Sequence, residues 1–226
     1  YASFASALSM NTSIVSSTYG DYAAITASSF RGYYNHGQPI TICNSRMSYS
    51  DGSGVCRMVN GVLFNCTIDK LIPHYGTNGL TVISSTIISD FDIAADTVNN
   101  ITFYSCMFNG AVKRTQSPAG KPVTFIDCNL AQLNSYYQHK ADFRGGYIAQ
   151  VNLASRAFVN LSGVRGAIFS YVEGGDRGFT TNDCIFDSVT RWGPPTHGSF
   201  PACVRTQRLG NMNMVDNKVV TTVVEY

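Results

Sequence analysis

The sequence predicts an all-β chain wound as a single-stranded parallel β-helix, a solenoid of about 21 residues per coil with two loop insertions. Three observations carry this. The first is a recurring unit, apolar, two residues, Cys/Ser/Asn, one residue, apolar, which matches at Met10-Ser13-Val15, Ile25-Ser28-Phe30, Ile42-Ser45-Met47, Leu63-Cys66-Ile68, Val82-Ser85-Ile87, Phe103-Cys106-Phe108, Phe125-Cys128-Leu130, Val159-Ser162-Val164 and Met214-Asn217-Val219. The second is its period: the ladder positions Ser45, Cys66, Ser85, Cys106 and Cys128 recur at a near-constant spacing of about 21 residues. The third is local chemistry. Bursts of Val, Ile, Phe, Tyr and Thr are punctuated by Asn-Gly, Gly-Gly and Ser/Asp/Gly clusters, which suit strands and turns and starve helices.

Taken along the chain, residues 1–24 read as irregular or as a first coil, 25–220 as coils and 221–226 as a terminal strand, all in one domain that spans 1–226 and belongs to a longer chain. Three short strands and three turns make one coil, and coils stack at about 4.8 Å, so equivalent residues form ladders. Cys66, Ser85, Cys106 and Cys128 then fill a tight inner corner, with Met47, Ile68, Ile87, Phe108 and Leu130 as an apolar stack two positions on. Asp127, Asp183 and Asp216 each precede a ladder residue and read as a hydrogen-bonded outward row or as turn contacts. The ladder skips twice, between Cys128 and Ser162 and between Cys184 and Asn217. Each interval exceeds one coil by roughly 12 residues, and the excess reads as an insertion.

Composition excludes several classes. Charged residues make up 13% of the chain, about half the usual share, with a net charge of +2 and 59 Asn, Ser and Thr residues. No basic tract is present to displace counterions from phosphates, so nucleic acid is not an expected partner, and no apolar run approaches the ~18 residues of a membrane span. Seven cysteines without a CxxC pair give neither a complete disulfide framework nor zinc spacing, and are expected to be reduced, buried thiols.

Insertions are where a repetitive scaffold places its chemistry. The first expected insertion carries Tyr136, Tyr137, His139, Asp142 and Arg144, and the second starts beside Trp192. Between them lies Glu173-Gly174-Gly175-Asp176-Arg177. As a carbohydrate site, Tyr136, Tyr137 and Trp192 stack on sugar rings while His139, Arg144 and Arg177 bond hydroxyls. Glu173 with Asp176 or Asp142 then supplies the acid and the base or nucleophile of glycoside hydrolysis, ~5 to ~9.5 Å apart according to stereochemistry. The competing reading is local: Glu173 and Asp176 cap a Gly-rich turn, the tyrosines cover the coil stack, and Trp192 stiffens a loop. Asp90, Asp92 and Asp96 alternate along a strand and are a candidate Ca²⁺ site, against a reading as solvating turn residues. The four histidines share no metal spacing, and no other metal or cofactor is expected.

The segments Phe103-Tyr104-Ser105-Cys106-Met107-Phe108, Phe125-Ile126-Asp127-Cys128-Asn129-Leu130 and Asn182-Asp183-Cys184-Ile185-Phe186 resemble the F-x-N-C-x-F coils of right-handed parallel β-helix proteins, the pectate-lyase-like superfamily. The resemblance covers about residues 25 to 220. The polygalacturonase signature is missing, with no Asn-Thr-Asp, Asp-Asp or Gly-His-Gly in the chain. Low charge, many Ser/Thr/Asn and free cysteines make it most similar to bacteriophage tailspikes. That similarity implies a homotrimer on a virion tail appendage, or alternatively a secreted protein, acting on bacterial capsular or O-antigen polysaccharide. Hydrolysis is expected ahead of lyase chemistry. A noncatalytic structural or receptor-binding spike and a secreted polysaccharide lyase are the alternatives, and no catalytic residue transfers from the resemblance.

Overall fold

The computed structural model describes residues 2–5, 14–16, 23–26, 29–31, 33–35, 40–48, 56–58, 60–73, 79–93, 100–115, 123–135, 140–153, 158–172, 180–192, 208–209, 212–215, 218–219 and 224–225, with side-chain environments for 41–47, 60–73, 79–92, 100–113, 123–134, 141–153, 159–170 and 181–188. These residues form an all-β parallel solenoid of about 20 residues per turn, without a helix.

The first sheet stacks Ala2–Ala5, Ala23–Thr26, Ile40–Cys43, Gly61–Phe64, Leu80–Ile83, Thr102–Tyr104, Val123–Ile126, Lys140–Arg144, Phe158–Ser162, Thr180–Asn182 and Met212–Val215 in chain order, all parallel, with Arg208–Leu209 antiparallel at its end. The second stacks Ser29–Arg31, Arg46–Ser48, Thr67–Ile68, Thr86–Ile87, Met107–Thr115, Asn129–Ser135, Tyr147–Leu153, Arg165–Val172, Ile185–Trp192 and Lys218–Val219. A third, of Ile14–Ser16, Tyr33–Asn35, Cys56–Met58 and Leu71–Pro73, covers the early coils. In the later coils the second-sheet strand takes over the third face, apart from Val224–Glu225 in the last coil, a separate short strand that lies opposite Thr190 and Arg191. From Met107–Thr115 through Ile185–Trp192 the second-sheet strand continues through the corner, and Val112 takes Phe91 as its neighbour. A register shift between Phe108 and Ala111 turns the strand there.

Burial follows the two-residue period of strands. In the first sheet Leu63, Val82, Phe103, Phe125, Phe143 and Leu161 point inward on successive rungs. Phe103, Phe125 and Phe143 stack nearly parallel, with ring centroids 5.0 and 4.4 Å apart. Such a file is what in-register rungs dictate, because equivalent side chains repeat at the rung spacing and planar rings fill it without voids. The stack expected from Met47 to Leu130 is present in the second sheet in that register and is buried.

The corner between the first and second sheets explains the motif that revealed the fold. The residue before each ladder position is left-handed: Asn44, Asn65, Ser84, Ser105, Asp127 and Asp183 have φ of 48–51°. Short polar side chains tolerate this conformation best among non-glycine residues. The Asn65 amide donates to the Asn44 side-chain oxygen across the rungs at 2.8 Å. Asp127 and Asp183 are therefore turn residues, while Asp216 lies outside the described residues. The carbonyls of Phe64, Ile83, Tyr104, Ile126 and Asn182, two residues before their ladder positions, each accept a backbone N–H from the preceding rung, and the ladder side chain adds a second donor. Ser45, Ser85, Cys66, Cys106, Cys128 and Cys184 each supply one, from Oγ at 2.7 to 2.8 Å or from Sγ at 3.3 to 3.4 Å. Serine and cysteine interchange there because both are small and carry one proton to give. Cys43, Cys66, Cys106, Cys128 and Cys184 are free thiols. Burial pushes the Cys66 and Cys184 thiols up, and the contact with Cys128, then burial, pushes Cys106 up.

The first expected insertion is corrected. Lys140–Arg144 and Tyr147–Leu153 form a rung of their own, with Val123 opposite Ala141 and Lys140 opposite Phe158, each a step slightly shorter than the average coil. The corner falls on Gly146 and then Val164, not on Ser162, which lies opposite Arg144 on the outward face. The rung has no Cys or Ser at its corner because Gly145 and Gly146 both take positive φ, 66 and 79°. A Cβ on Gly146 would come within 2.2 Å of the Cys128 carbonyl oxygen. The second long step remains, since Thr180 lies opposite Asn213, well over one coil further along the chain.

Candidate functional site

The outward face of the first sheet carries the described part of the candidate site. Alternation that buries Ala141 and Phe143 turns Asp142 and Arg144 outward. Parallel register then places Asn160 beside Asp142 and Ser162 beside Arg144. The Asn160 side-chain amide donates to Asp142 Oδ1 at 2.6 Å. The Arg144 guanidinium stands 4.0 Å from Asp142 Oδ2, with the Asp142 side chain 19% and the Arg144 side chain 64% exposed. Asp142 is thus held by two neighbours while Arg144 reaches into solvent. A fixed carboxylate, an amide and a guanidinium on one flat face can donate and accept hydrogen bonds to a polyhydroxylated ligand.

Two rows run along the solenoid axis into this cluster. One passes through Thr81, Thr102 and Thr124 to Asp142 and Asn160, and the other through Phe64, Ile83, Tyr104 and Ile126 to Arg144. Phe64 is 42% and Tyr104 39% exposed. Neither ring figures among the sequence-derived candidates. Their signal was present, since both lie two residues before a ladder cysteine, at the outward parity that the period fixes.

Of the other candidates, Tyr136, Tyr137, His139, Glu173, Asp176 and Arg177 lie outside the described residues. Trp192 ends its strand opposite Val172, and its side chain is outside the described set. The strands preceding these segments are in register, with Ser135 opposite Leu153, Leu153 opposite Tyr171 and Tyr171 opposite Arg191.

The acidic run at Asp90 has a structural occupation. Asp90 Oδ1 accepts the Ala111 backbone N–H at 2.7 Å, and its other oxygen pairs with Lys113 Nζ. Asp90 thereby secures the bulge of the next rung, and the Lys113 bond holds its carboxyl below the ordinary range. Asp92 lies opposite Lys113 in register, and Asp96 is outside the described residues. Among the described residues no three His, Cys, Asp or Glu side chains cluster as metal ligands.

Comparisons with protein-family models, curated proteins and solved structures find no match for the chain.

Proposed function

We propose that this β-solenoid binds bacterial surface polysaccharide, capsular or O-antigen chains, on the outward face of its first sheet around Asp142, Arg144 and Asn160. The observation that supports the reading is the meeting of a hydrogen-bonding cluster with two axial rows of hydroxyls and exposed rings on one face. Sugars present hydroxyl edges and apolar ring faces together, and that face offers partners for both. The solenoid axis also gives an elongated ligand a repeating surface.

In the enzymatic form of the reading, Asp142 is one carboxyl group and Glu173 or Asp176 the other, and hydrolysis is preferred to β-elimination. The chain then serves as part of a homotrimeric virion tail appendage, an extension that rests on the sequence resemblance. One observation favours the noncatalytic form. Asp142 is the one carboxylate on the described part of that face, and it already accepts the Asn160 amide and faces the Arg144 guanidinium. Such an arrangement suits a hydrogen-bond acceptor better than a proton donor.

Purified protein is incubated with a broad panel of capsular and O-antigen polysaccharides, and binding and product size are followed. Binding is expected for at least one chain, and its absence across the panel overturns the reading. Shortened products support cleavage, with ultraviolet absorbance separating unsaturated lyase products from hydrolytic ones. Asp142→Asn and Glu173→Gln then identify the carboxyl groups by retained binding with lost cleavage.

A further inference from the structure

The outward row of the first sheet has a period of its own. Phe64, Ile83, Tyr104 and Ile126 occupy one position on four successive rungs, each opposite the next, and Arg144 follows on the fifth. The two aromatic rings fall on alternate rungs, so at about 4.8 Å per rung they stand roughly 9.6 Å apart. An aliphatic side chain lies between them and another beyond. A sugar in an extended linear chain advances by about one rung spacing, and a chain whose successive sugars alternate in orientation presents the same ring face at every second residue. The threonines of the neighbouring row, Thr81, Thr102 and Thr124, are half-buried beside the rings and place hydroxyls along the other edge of such a chain.

From this register we infer that the Phe64–Tyr104 row is an accessory binding track for a linear, extended polysaccharide with a disaccharide period, lying along the solenoid axis and leading into the Asp142–Arg144–Asn160 cluster. The inference rests on the saccharide reading above and names its substrate class. A second copy of this chain is a poorer occupant, because packing a protein face here would bury the threonine hydroxyls beside the row and require partners for them. The track is also continuous with the hydrogen-bonding cluster, through the pairing of Ile126 with Arg144. Five rungs accommodate about five sugars, so affinity should climb with chain length up to that size and then level off.

The test uses the full chain and the polysaccharide panel, with each bound polysaccharide cut into oligosaccharides of defined length as probes. Phe64→Ser, Tyr104→Ser and the double variant are compared with Asp142→Asn. Both rings are exposed, so the variants should keep the parent melting temperature. The double variant should bind about tenfold to a hundredfold more weakly, the scale expected when two stacking rings are removed, with each single variant intermediate. The bound polysaccharides should have linear backbones with a two-sugar period. Unchanged affinity in the double variant while Asp142→Asn weakens binding overturns the track and leaves the saccharide site standing. Binders that are only branched or of odd period overturn the named class. A change in sedimentation rather than in affinity shows the row to be an interface between copies and overturns the inference. No binding across the panel overturns the track together with the reading beneath it.

Discussion

Asn160 and Asp142 face each other on adjacent rungs of the first sheet, with the amide donating to the carboxylate at 2.6 Å. In a parallel solenoid such a pair is fixed by backbone register, so changing either partner tests an interaction whose geometry the fold imposes. Asn160→Asp would place two carboxylates opposite each other, an arrangement that costs a few tenths to about 1 kcal/mol when both are ionised. The repulsion needs both carboxylates ionised, so the penalty is present at neutral pH and is relieved once acid protonates one of them. Thermal unfolding should show the variant below the parent at pH 7 and level with it near pH 3.5. A pH-independent difference would mean that the cost comes from something other than charge.

The phenylalanine file is the packing counterpart. Phe125 stacks on Phe143 at 4.4 Å and on Phe103 at 5.0 Å, and all three are buried. Truncating the middle ring removes both stacking partners and opens a cavity that the rungs above and below cannot close, because backbone hydrogen bonds fix their spacing. Phe125→Ala should therefore cost about 3 to 5 kcal/mol, and Phe125→Leu clearly less. Urea denaturation followed by far-ultraviolet circular dichroism measures both. Equal losses would indicate that the stack, rather than the filled volume, carries the energy.

Much of the fold was legible because the solenoid repeats its corner. On most rungs the left-handed residue is small and polar and the next is a small side chain with a proton to donate, so Asn65-Cys66, Ser84-Ser85 and Asp127-Cys128 display the turn directly in the sequence. The rung at Gly145-Gly146 was not legible for the same reason. Glycine meets the conformational demand without the Cys or Ser, so the motif vanished and 135–147 read as an insertion. The site was less legible than the fold. Outward positions carry no packing constraint, and Phe64 and Tyr104 look like core aromatics until the rung register shows which parity faces solvent.

Gly146 gives a sharp test of that corrected rung. Its φ is 79°, and a Cβ would meet the Cys128 carbonyl oxygen at 2.2 Å and the Cys128 nitrogen at 2.7 Å, both backbone atoms that cannot swing aside. Gly146→Ala should destabilise by several kcal/mol, roughly 3 or more, since strain and clash add. Gly79→Ala serves as the control: that glycine also has positive φ, 89°, but its Cβ would meet nothing within 4 Å. It should cost about 1 kcal/mol, the conformational part alone. Similar losses at both positions would contradict the close approach of the two rungs at Gly146.

Asp90 links the acidic run to the stability of the next rung. Its carboxyl is held below the ordinary range, first by the bond from Lys113, then by the Ala111 N–H. A folded-state pKa depressed below the unfolded one contributes stability that is fully present above the unfolded value, near 4, and is lost as pH falls through the folded value. The Lys113 and Asp90 side chains are 38% and 48% exposed, so solvent screening keeps the pair to about 1 kcal/mol or less. Asp90→Asn should thus lower the melting temperature modestly at pH 7, and the difference should shrink as pH is brought from 5 to 2. Lys113→Met should remove most of the same pH dependence, because Lys113 is the largest cause of the shift. If calcium raises the melting temperature of the parent and not of Asp90→Asn, the carboxylate serves a cation and the structural account of Asp90 fails. A calcium-independent melting temperature alongside the pH-dependent difference assigns Asp90 to the bulge it holds.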